Sequence, residues 1–321
     1  MGREHSLSIS AAEEIEVGAA LRLVFQNLEV PARSLQIATA FDEIEHSPKP
    51  NCILLLARRG VDLVGAIWAQ VRAGRTAALW PPGLCEFEDQ KTAIALVTAA
   101  VLDATATGVK LVHSLLAKDQ LSEALWLTGG RFENVAELLY LVCPRARFAS
   151  RESHAELAFE PMGERGCTIE DHKLIRLAAI VQRTYEKSLD CPVLQGVRSI
   201  NDVIAGYKAT GEFDPSRWFL VRRPNRQGDI GCLILTAHQR ERRAEIVYMG
   251  VVSQERGRGV GLQIARHAQW LASQVTSAEK SSKELILAVD AMNLPAVRLY
   301  EKAGFECRAR RSLFLRVVKS K

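Results

Sequence analysis

The sequence predicts a mixed α/β (α+β) protein in which two copies of one unit follow each other. Each copy is expected to be a mixed, mostly antiparallel sheet flanked by helices. Three observations support this prediction. Short apolar strands alternate with helical segments in both halves. A strand, a glycine-rich turn and a helix follow one another over 246–275. Similar turns at Gly130-Arg131-Phe132 and Gly304-Phe305 each precede a strand near the end of a half.

Composition sets the broad class. The chain has 321 residues, of which 48% are hydrophobic, so two domains with substantial cores are expected. A net charge of +5 suits an anionic cofactor but is too weak to indicate nucleic-acid binding. No apolar run is long enough to cross a bilayer, and the N-terminus lacks a signal-peptide pattern, so we expect no membrane partner.

The seven cysteines are scattered without a Cys-x-x-Cys pair. This pattern argues against a disulfide framework or a zinc site and favours a reducing, cytoplasmic location. The seven histidines also lack the spacing of metal ligands. The sequence therefore predicts a protein without a bound metal.

The glycine-rich turn has the features of a phosphate site. Gly257, Gly259 and Gly261 alternate with other residues between an apolar strand and a helix. Glycines let the backbone approach a ligand, and the free N–H groups at a helix start attract anions. A Walker A loop would end in Gly-Lys-Ser/Thr, and a dinucleotide fingerprint would have a third glycine where Leu262 stands. Neither fits.

The pattern Arg256-x-x-Gly259-x-Gly261 after an apolar strand resembles the pyrophosphate loop of the GNAT (Gcn5-related N-acetyltransferase) family. A second stretch, from Asn293 through Tyr300 to Gly304-Phe305, is similar to a further motif of that family. The resemblance implies acetyl-CoA as acyl donor. The cofactor-binding residues that it implies are Met249, Val251, Val252, Arg256, Gly257, Arg258, Gly259, Val260, Gly261 and Asn293.

Two residues are candidates for proton transfer. The resemblance places Tyr300 over the cofactor sulfur, where a phenol can act as general acid. It places Glu245 on the core strand as general base. Each has a plain structural alternative: Tyr300 as a helix tyrosine packed on the sheet, and Glu245 as a solvated carboxylate at the start of a strand.

Acceptor specificity is expected in the helical region that precedes the first strands of the second half. Tyr185 and Asp190 are the polar candidates there, and Tyr248 is a candidate from the core strand. Asp190 would attract a cationic amine. Cys191 precedes Pro192 and has no recognisable histidine partner, so we expect it to be structural.

The first half departs from the family pattern. Residues 1–150 are predicted to be a degenerate, non-catalytic GNAT-like domain, and residues 165–321 the catalytic one. Pro81-Pro82-Gly83 stands where a glycine-rich loop would be, and prolines make a poor anion site. The strand from Thr76 is expected to end before Pro81, and residues 1–10 to form a loose tail.

The resemblance implies an acetyl-CoA-dependent N-acyltransferase in which a primary amine attacks the thioester directly within a ternary complex. The acceptor would be a small molecule or a peptide, and its identity stays open, as does the oligomeric state. The alternative is a protein that binds acyl-CoA as a sensor without catalysis.

Overall fold

A computed structural model describes residues 6–46, 51–150, 156–274, 276–277 and 280–318. The chain divides into two compact units. Unit 1 contains residues 1–135 and 312–321, and unit 2 contains residues 136–311.

The elements of unit 1 alternate between strands and helices. They are β1 (Leu7–Ala11), α1 (Val17–Val24), α2 (Val30–His46), β2 (Cys52–Arg59), β3 (Asp62–Arg72), β4 (Thr76–Leu84), α3 (Gln90–Ala106), β5 (Leu111–Leu116) and α4 (Leu121–Gly129). The strands are ordered β1-β2-β3-β4-β5. Only β4 and β5 pair in parallel in this set; the other described pairs are antiparallel.

Unit 2 repeats this plan. Its elements are β6 (Glu133–Pro144, in unit 2 from residue 136), β7 (Ala158–Pro161), α5 (Asp171–Tyr185), α6 (Ile200–Lys208), β8 (Trp218–Arg222), β9 (Gly231–His238), β10 (Arg243–Val251), α7 (Val260–Gln274), β11 (Thr276–Ser277), β12 (Lys280–Ser281), β13 (Glu284–Asp290), α8 (Leu294–Lys302) and β14 (Glu306–Val317, in unit 2 up to residue 311). The sheet is ordered β6-β13-β10-β9-β8-β7, and β10 and β13 are its parallel pair.

The last strand of each half lies largely or partly in the other unit. Residues 138–144 of β6 pair with β13 in unit 2, whereas residues 312–317 of β14 pair with β5 in unit 1. The two units are bounded at other residues than the predicted domains 1–150 and 165–321, and that division stays a prediction. A strand needs only a free sheet edge of matching register, and single-sequence patterns do not say which edge it takes.

Each unit has its own core. In unit 1, Leu56 and Trp68 form part of one buried cluster, and Leu96 belongs to a second one under α3. In unit 2, Trp218, Leu220 and their neighbours on β8 and β9 are fully buried. Buried apolar surface of this kind is the main stabilising contribution to folding.

Two local predictions were wrong. The expected tail at 1–10 contains β1, which pairs with β2; residues 1–5 lie outside the described part. Strand β4 runs through Pro81 and Pro82 to Leu84. The prolines are tolerated because β4 pairs with β5 only from Thr76 to Ala78 and because they lie at a bulge in the pairing with β3, between Trp80 and Gly83. Within the described residues, no helix is long and apolar enough to cross a membrane.

Candidate active site

Strands β10 and β13 separate halfway along, and this gap is the centre of the site. Both strands are fully described, and their parallel pairing ends at Glu245 and Ile286. A bulge at Val247 shifts the register of β10 against β9 at the same level. The backbone edge of β10 that faces β13 is therefore open beyond this point.

The open edge presents amide groups. The N–H of Val252 donates to Ile230 O at 2.9 Å, on the β9 side. Because successive N–H groups of a strand point to opposite sides, those of Val251 and Met249 point into the gap. Of the predicted backbone donors on β10, Val252 is thus engaged by protein, and Met249 and Val251 face the open edge.

The loop after β10 holds two glycines in a conformation that other residues rarely adopt. Gly257 has φ 76° and Gly259 has φ 77°, and no described atom lies within 4 Å of a Cβ built on either. Helix α7 starts at Val260, and its first helical bond runs from Gln263 N–H to Gly259 O at 3.2 Å. The N–H groups just before Gln263 have no acceptor within the helix. These N–H groups and the open space around the two glycines together suit a diphosphate.

Gly261 is required for a different reason. A Cβ at this position would lie 2.5 Å from Leu299 Cδ1 and 3.8 Å from Met249 Cε. The glycine lets the start of α7 pack closely against α8 and β10. This packing places the helix N-terminus beside the gap between the strands.

Arg256 supports the loop through its side chain. Its guanidinium donates to the carbonyl oxygens of Val251 at 3.0 Å, Thr184 at 2.7 Å and Lys187 at 2.9 Å. It thereby ties the end of α5 to the end of β10. The guanidinium of this predicted cofactor-binding residue is thus directed at backbone carbonyls.

A second charged group lies beside the same loop. The buried Glu255 carboxylate accepts from Arg223 Nη2 at 2.8 Å, with Arg226 at 3.5 Å and Arg258 at 3.7 Å. The hydrogen bond from Arg223 lowers the pKa of Glu255 below its usual range. Three guanidinium groups around one carboxylate leave an excess of positive charge beside the helix start, which suits an anionic ligand.

Tyr300 lies on α8, buried with its ring 5.6 Å from that of Phe305. Burial, with a smaller effect of the Asp190 charge, raises the pKa of Tyr300. Asn293 caps α8: its side chain accepts the N–H of Ala296 at 3.4 Å and also hydrogen-bonds to Asp190. Asn293 therefore acts as a helix cap, and its amide is shared with a predicted acceptor residue.

Glu245 is not a free surface carboxylate. Its Oε2 atom lies 2.6 Å from His238 Nε2, and both side chains are about three-quarters buried. The hydrogen bond to Glu245 raises the pKa of His238. The two groups form a carboxylate–imidazole pair on one face of the sheet.

The predicted acceptor residues Tyr185 and Tyr248 meet in a cluster with Tyr207. The hydroxyl groups of Tyr185 and Tyr207 are 2.9 Å apart, and the ring of Tyr248 stacks on that of Tyr207 at 5.4 Å. Tyr248 Oη lies 2.7 Å from Thr184 Oγ1. Burial raises the pKa of all three phenols. This tyrosine cluster covers β10 on the α5 side.

Sequence reasoning missed Tyr207, His238 and Asp290. Tyr207 had a usable signal, because it falls on the apolar face of a predicted helix next to Tyr185. His238 and Asp290 had none, since the strand partner of His238 and the loop residues that contact Asp290 come together only in the folded chain. Among the described residues, no group of three or more His, Cys, Asp or Glu side chains is placed to hold a metal ion.

The matching position of unit 1 is built differently. The Asp89 carboxylate caps α3 by accepting the N–H groups of Lys91 at 3.0 Å and Thr92 at 3.1 Å. A side chain thus accepts the N–H groups at the start of α3 in unit 1, whereas the corresponding N–H groups of α7 in unit 2 face open space. A Cβ on Gly83 would lie 1.9 Å from Leu23 O, so the end of α1 closes against β4.

Residues 214–307 match the family profile described as an acetyltransferase (GNAT) domain. This chain contains a GNAT domain. The match covers the separated strands, the glycine loop and α8, and it confirms the family resemblance. A search of curated proteins finds no match.

Solved structures extend the likeness to the whole fold. The GNAT protein of Sphaerobacter thermophilus aligns with a TM-score of 0.62 and 14% identity, covering 98% of this chain and 96% of that one. A tandem GNAT protein from the clavulanic acid biosynthesis pathway aligns at 0.53 and 12%, covering 98% and 100%. A glucosamine N-acetyltransferase region of a fungal β-N-acetylglucosaminidase aligns at 0.60 and 17%, covering 97% of this chain and 38% of that one. The predicted tandem GNAT fold is confirmed, and the profile match over residues 214–307 supports acyl transfer in general.

Proposed function

We propose that unit 2 is an acetyl-CoA-dependent N-acyltransferase that acylates a primary amine by direct attack. The observation that carries the proposal is the bare, glycine-lined start of α7 beside the open edge of β10. Together they offer amides for a diphosphate and, further in, for a thioester carbonyl. The donor contributes an acyl group activated as a thioester.

Each residue then has a defined task. The N–H groups of Met249 and Val251 polarise the carbonyl. Glu245, backed by His238, takes the proton that the amine loses. Tyr300 gives a proton to the departing sulfur and regains one from solvent. A carbon–nitrogen bond forms as the carbon–sulfur bond breaks, and no oxidant or metal is needed.

Burial raises the pKa of Tyr300, so the phenol keeps its proton throughout the neutral range. The raised pKa also makes it a weaker acid, so its role as donor rests on its position and not on the shift. The same burial excludes water from the sulfur, which limits hydrolysis of the thioester.

The test combines binding and turnover. Calorimetric titration should detect coenzyme A binding, and thiol release from acetyl-CoA should depend on an added amine. Tyr300→Phe should keep coenzyme A affinity while kcat falls by about 100-fold or more. Absence of coenzyme A affinity would overturn the proposal. Tight binding with no thiol release for any amine would favour the alternative, a non-catalytic acyl-CoA sensor.

A further inference from the structure

Four residues of unit 2 share one face of the sheet beside the candidate active site. Glu245 pairs with Ile286, and Ala288 pairs with Tyr140 of β6. Directly paired residues, and residues two apart on a strand, project to the same face. Glu245, Ile286, Ala288 and Tyr140 therefore form a continuous strip across β10, β13 and β6.

This strip is open to solvent. Ala288 is exposed, and Ile286 and Tyr140 are half-buried, although their strand neighbours Leu287 and Leu141 on the opposite face are buried. Helix α5 packs on β9 and β10, on the side of the tyrosine cluster. The register of β10 against β9 puts Glu245 on the same face as Tyr248, so the strip lies on the α5 face, beside the tyrosine cluster, and reaches solvent at Ala288.

The two ends of the strip carry different charges. At one end is Glu245, with His238. At the other end is Tyr140, whose pKa is raised by burial and lowered in part by the nearby charge of Arg311. Arg310 pairs with Glu137 at 3.0 Å, and Glu137 lies on the face opposite to Tyr140 because the two are three residues apart. Arg311, next along β14, therefore projects to the Tyr140 face.

We propose that this strip is the acceptor groove and that it takes an amine which also carries an anionic group. The amine would lie at Glu245, and Arg311 and Tyr140 would bind the anion through a guanidinium and a hydroxyl donor. This inference rests on the proposed function, because Glu245 is placed at the amine. Strands β10 and β6 are two strand spacings apart, so amine and anion are roughly 10 Å apart.

The charge pattern favours amino acids, short peptides or other ω-amino acids over polyamines and aminoglycosides. Those polycations would bring further positive charge to Arg311. An extended chain of about three residues spans the same distance, so a peptide with a free carboxylate is within reach.

The test uses two acceptors that differ only in charge, 8-aminooctanoate and 8-aminooctanamide. Their binding to the full chain is measured by calorimetry in the presence of coenzyme A, so no turnover is needed. We expect the carboxylate to bind about tenfold more tightly. Arg311→Ala and Tyr140→Phe should reduce this preference towards one. Arg310→Ala, the same charge change on the opposite face, should leave it intact, and Arg311→Lys should keep part of it.

Equal binding of the two acceptors, or an unchanged preference in Arg311→Ala, would overturn the inference. The proposed function fails separately. If coenzyme A does not bind, acyl transfer is excluded whatever the acceptors do. If coenzyme A binds and amines are acylated without a preference for the carboxylate, the acyltransferase stands and the acceptor class proposed for this groove is wrong.

Discussion

The carboxylates of Asp190 and Asp290 each accept a backbone N–H from the segment that carries the other residue. The Asp190 carboxylate accepts the N–H of Asp290 at 2.9 Å, and the Asp290 carboxylate accepts the N–H of Cys191 at 3.1 Å. Asp290 also accepts the N–H of Met292 at 2.9 Å. The exchange fixes the loop after α5 to the end of β13, where Cys191 has a left-handed backbone with φ 41°. The loop therefore stands directly beside the start of α8.

Asp290→Asn should destabilise the protein. Both carboxylate oxygens of the buried Asp290 accept backbone N–H groups, and an amide retains only one acceptor oxygen. One buried N–H would lose its partner, which should lower the free energy of unfolding by about 2 kcal/mol in urea titrations. Asp190→Asn is the control, because it keeps an acceptor and removes repulsion between two carboxylates. A loss in Asp190→Asn as large as in Asp290→Asn would contradict this account.

The His238–Glu245 pair should make stability depend on pH. A histidine with a folded-state pKa above its ordinary value stabilises the protein fully below about pH 6.5, and loses that effect as pH rises through the raised pKa. The stability difference between wild type and His238→Gln should thus be largest near pH 6 and small near pH 9. Nearby, Glu241 acts in the same direction as Glu245, and Arg243 acts against them. Urea titrations across this range measure the difference.

The same His238–Glu245 pair should make kcat/KM depend on pH. Imidazolium beside Glu245 weakens the carboxylate as a base, so kcat/KM should fall as pH drops through the raised pKa of His238. In His238→Gln the acid limb should move to lower pH, where the carboxylate itself titrates. A pH profile that is unchanged in His238→Gln would show that the imidazole does not act on the base.

The local patterns around the glycine loop could be predicted from the sequence because they depend on residues close together in the chain. Gly257 and Gly259 adopt a left-handed backbone, which glycine tolerates without steric cost. In contrast, the partners of Arg256 could not be predicted, since Thr184 and Lys187 reach it only when α5 packs on β10. The strip from Glu245 to Tyr140 likewise could not be predicted, because it depends on the pairing of β6 with β13 from the other half of the chain.

The failure at Pro81 shows where local rules are overridden. Proline normally ends a strand in the middle of a sheet, yet at Pro81 the strand β4 no longer pairs with β5 and is bulged against β3. The loss of function predicted for unit 1 remains a prediction. It now has a specific structural argument, since Asp89 uses the helix-start amides that an anion would need.

Gly259→Ala should weaken coenzyme A binding more than it weakens the fold. The Cβ would meet no described atom, so the cost is the strain of φ 77°, about 1 kcal/mol. Relief of that strain would turn the amides at the start of α7, and affinity should fall about tenfold or more. Gly166→Ala is the matched control, with φ 78° and equally open space in the described structure. It should show a similar stability loss in urea with unchanged coenzyme A affinity by calorimetry.

Arg256→Lys should distinguish the effect of the planar guanidinium from the effect of its positive charge. A lysine keeps the positive charge but cannot direct donors to Val251, Thr184 and Lys187 together, as the planar guanidinium does. We expect the free energy of unfolding to fall by about 2 kcal/mol, because carbonyl groups at the end of α5 lose their donor. Arg258→Lys, at an exposed position 3.7 Å from Glu255, should change stability by less than about 0.5 kcal/mol. If both variants unfold at the wild-type urea concentration, Arg256 does not tie α5 to β10, and its charge alone matters.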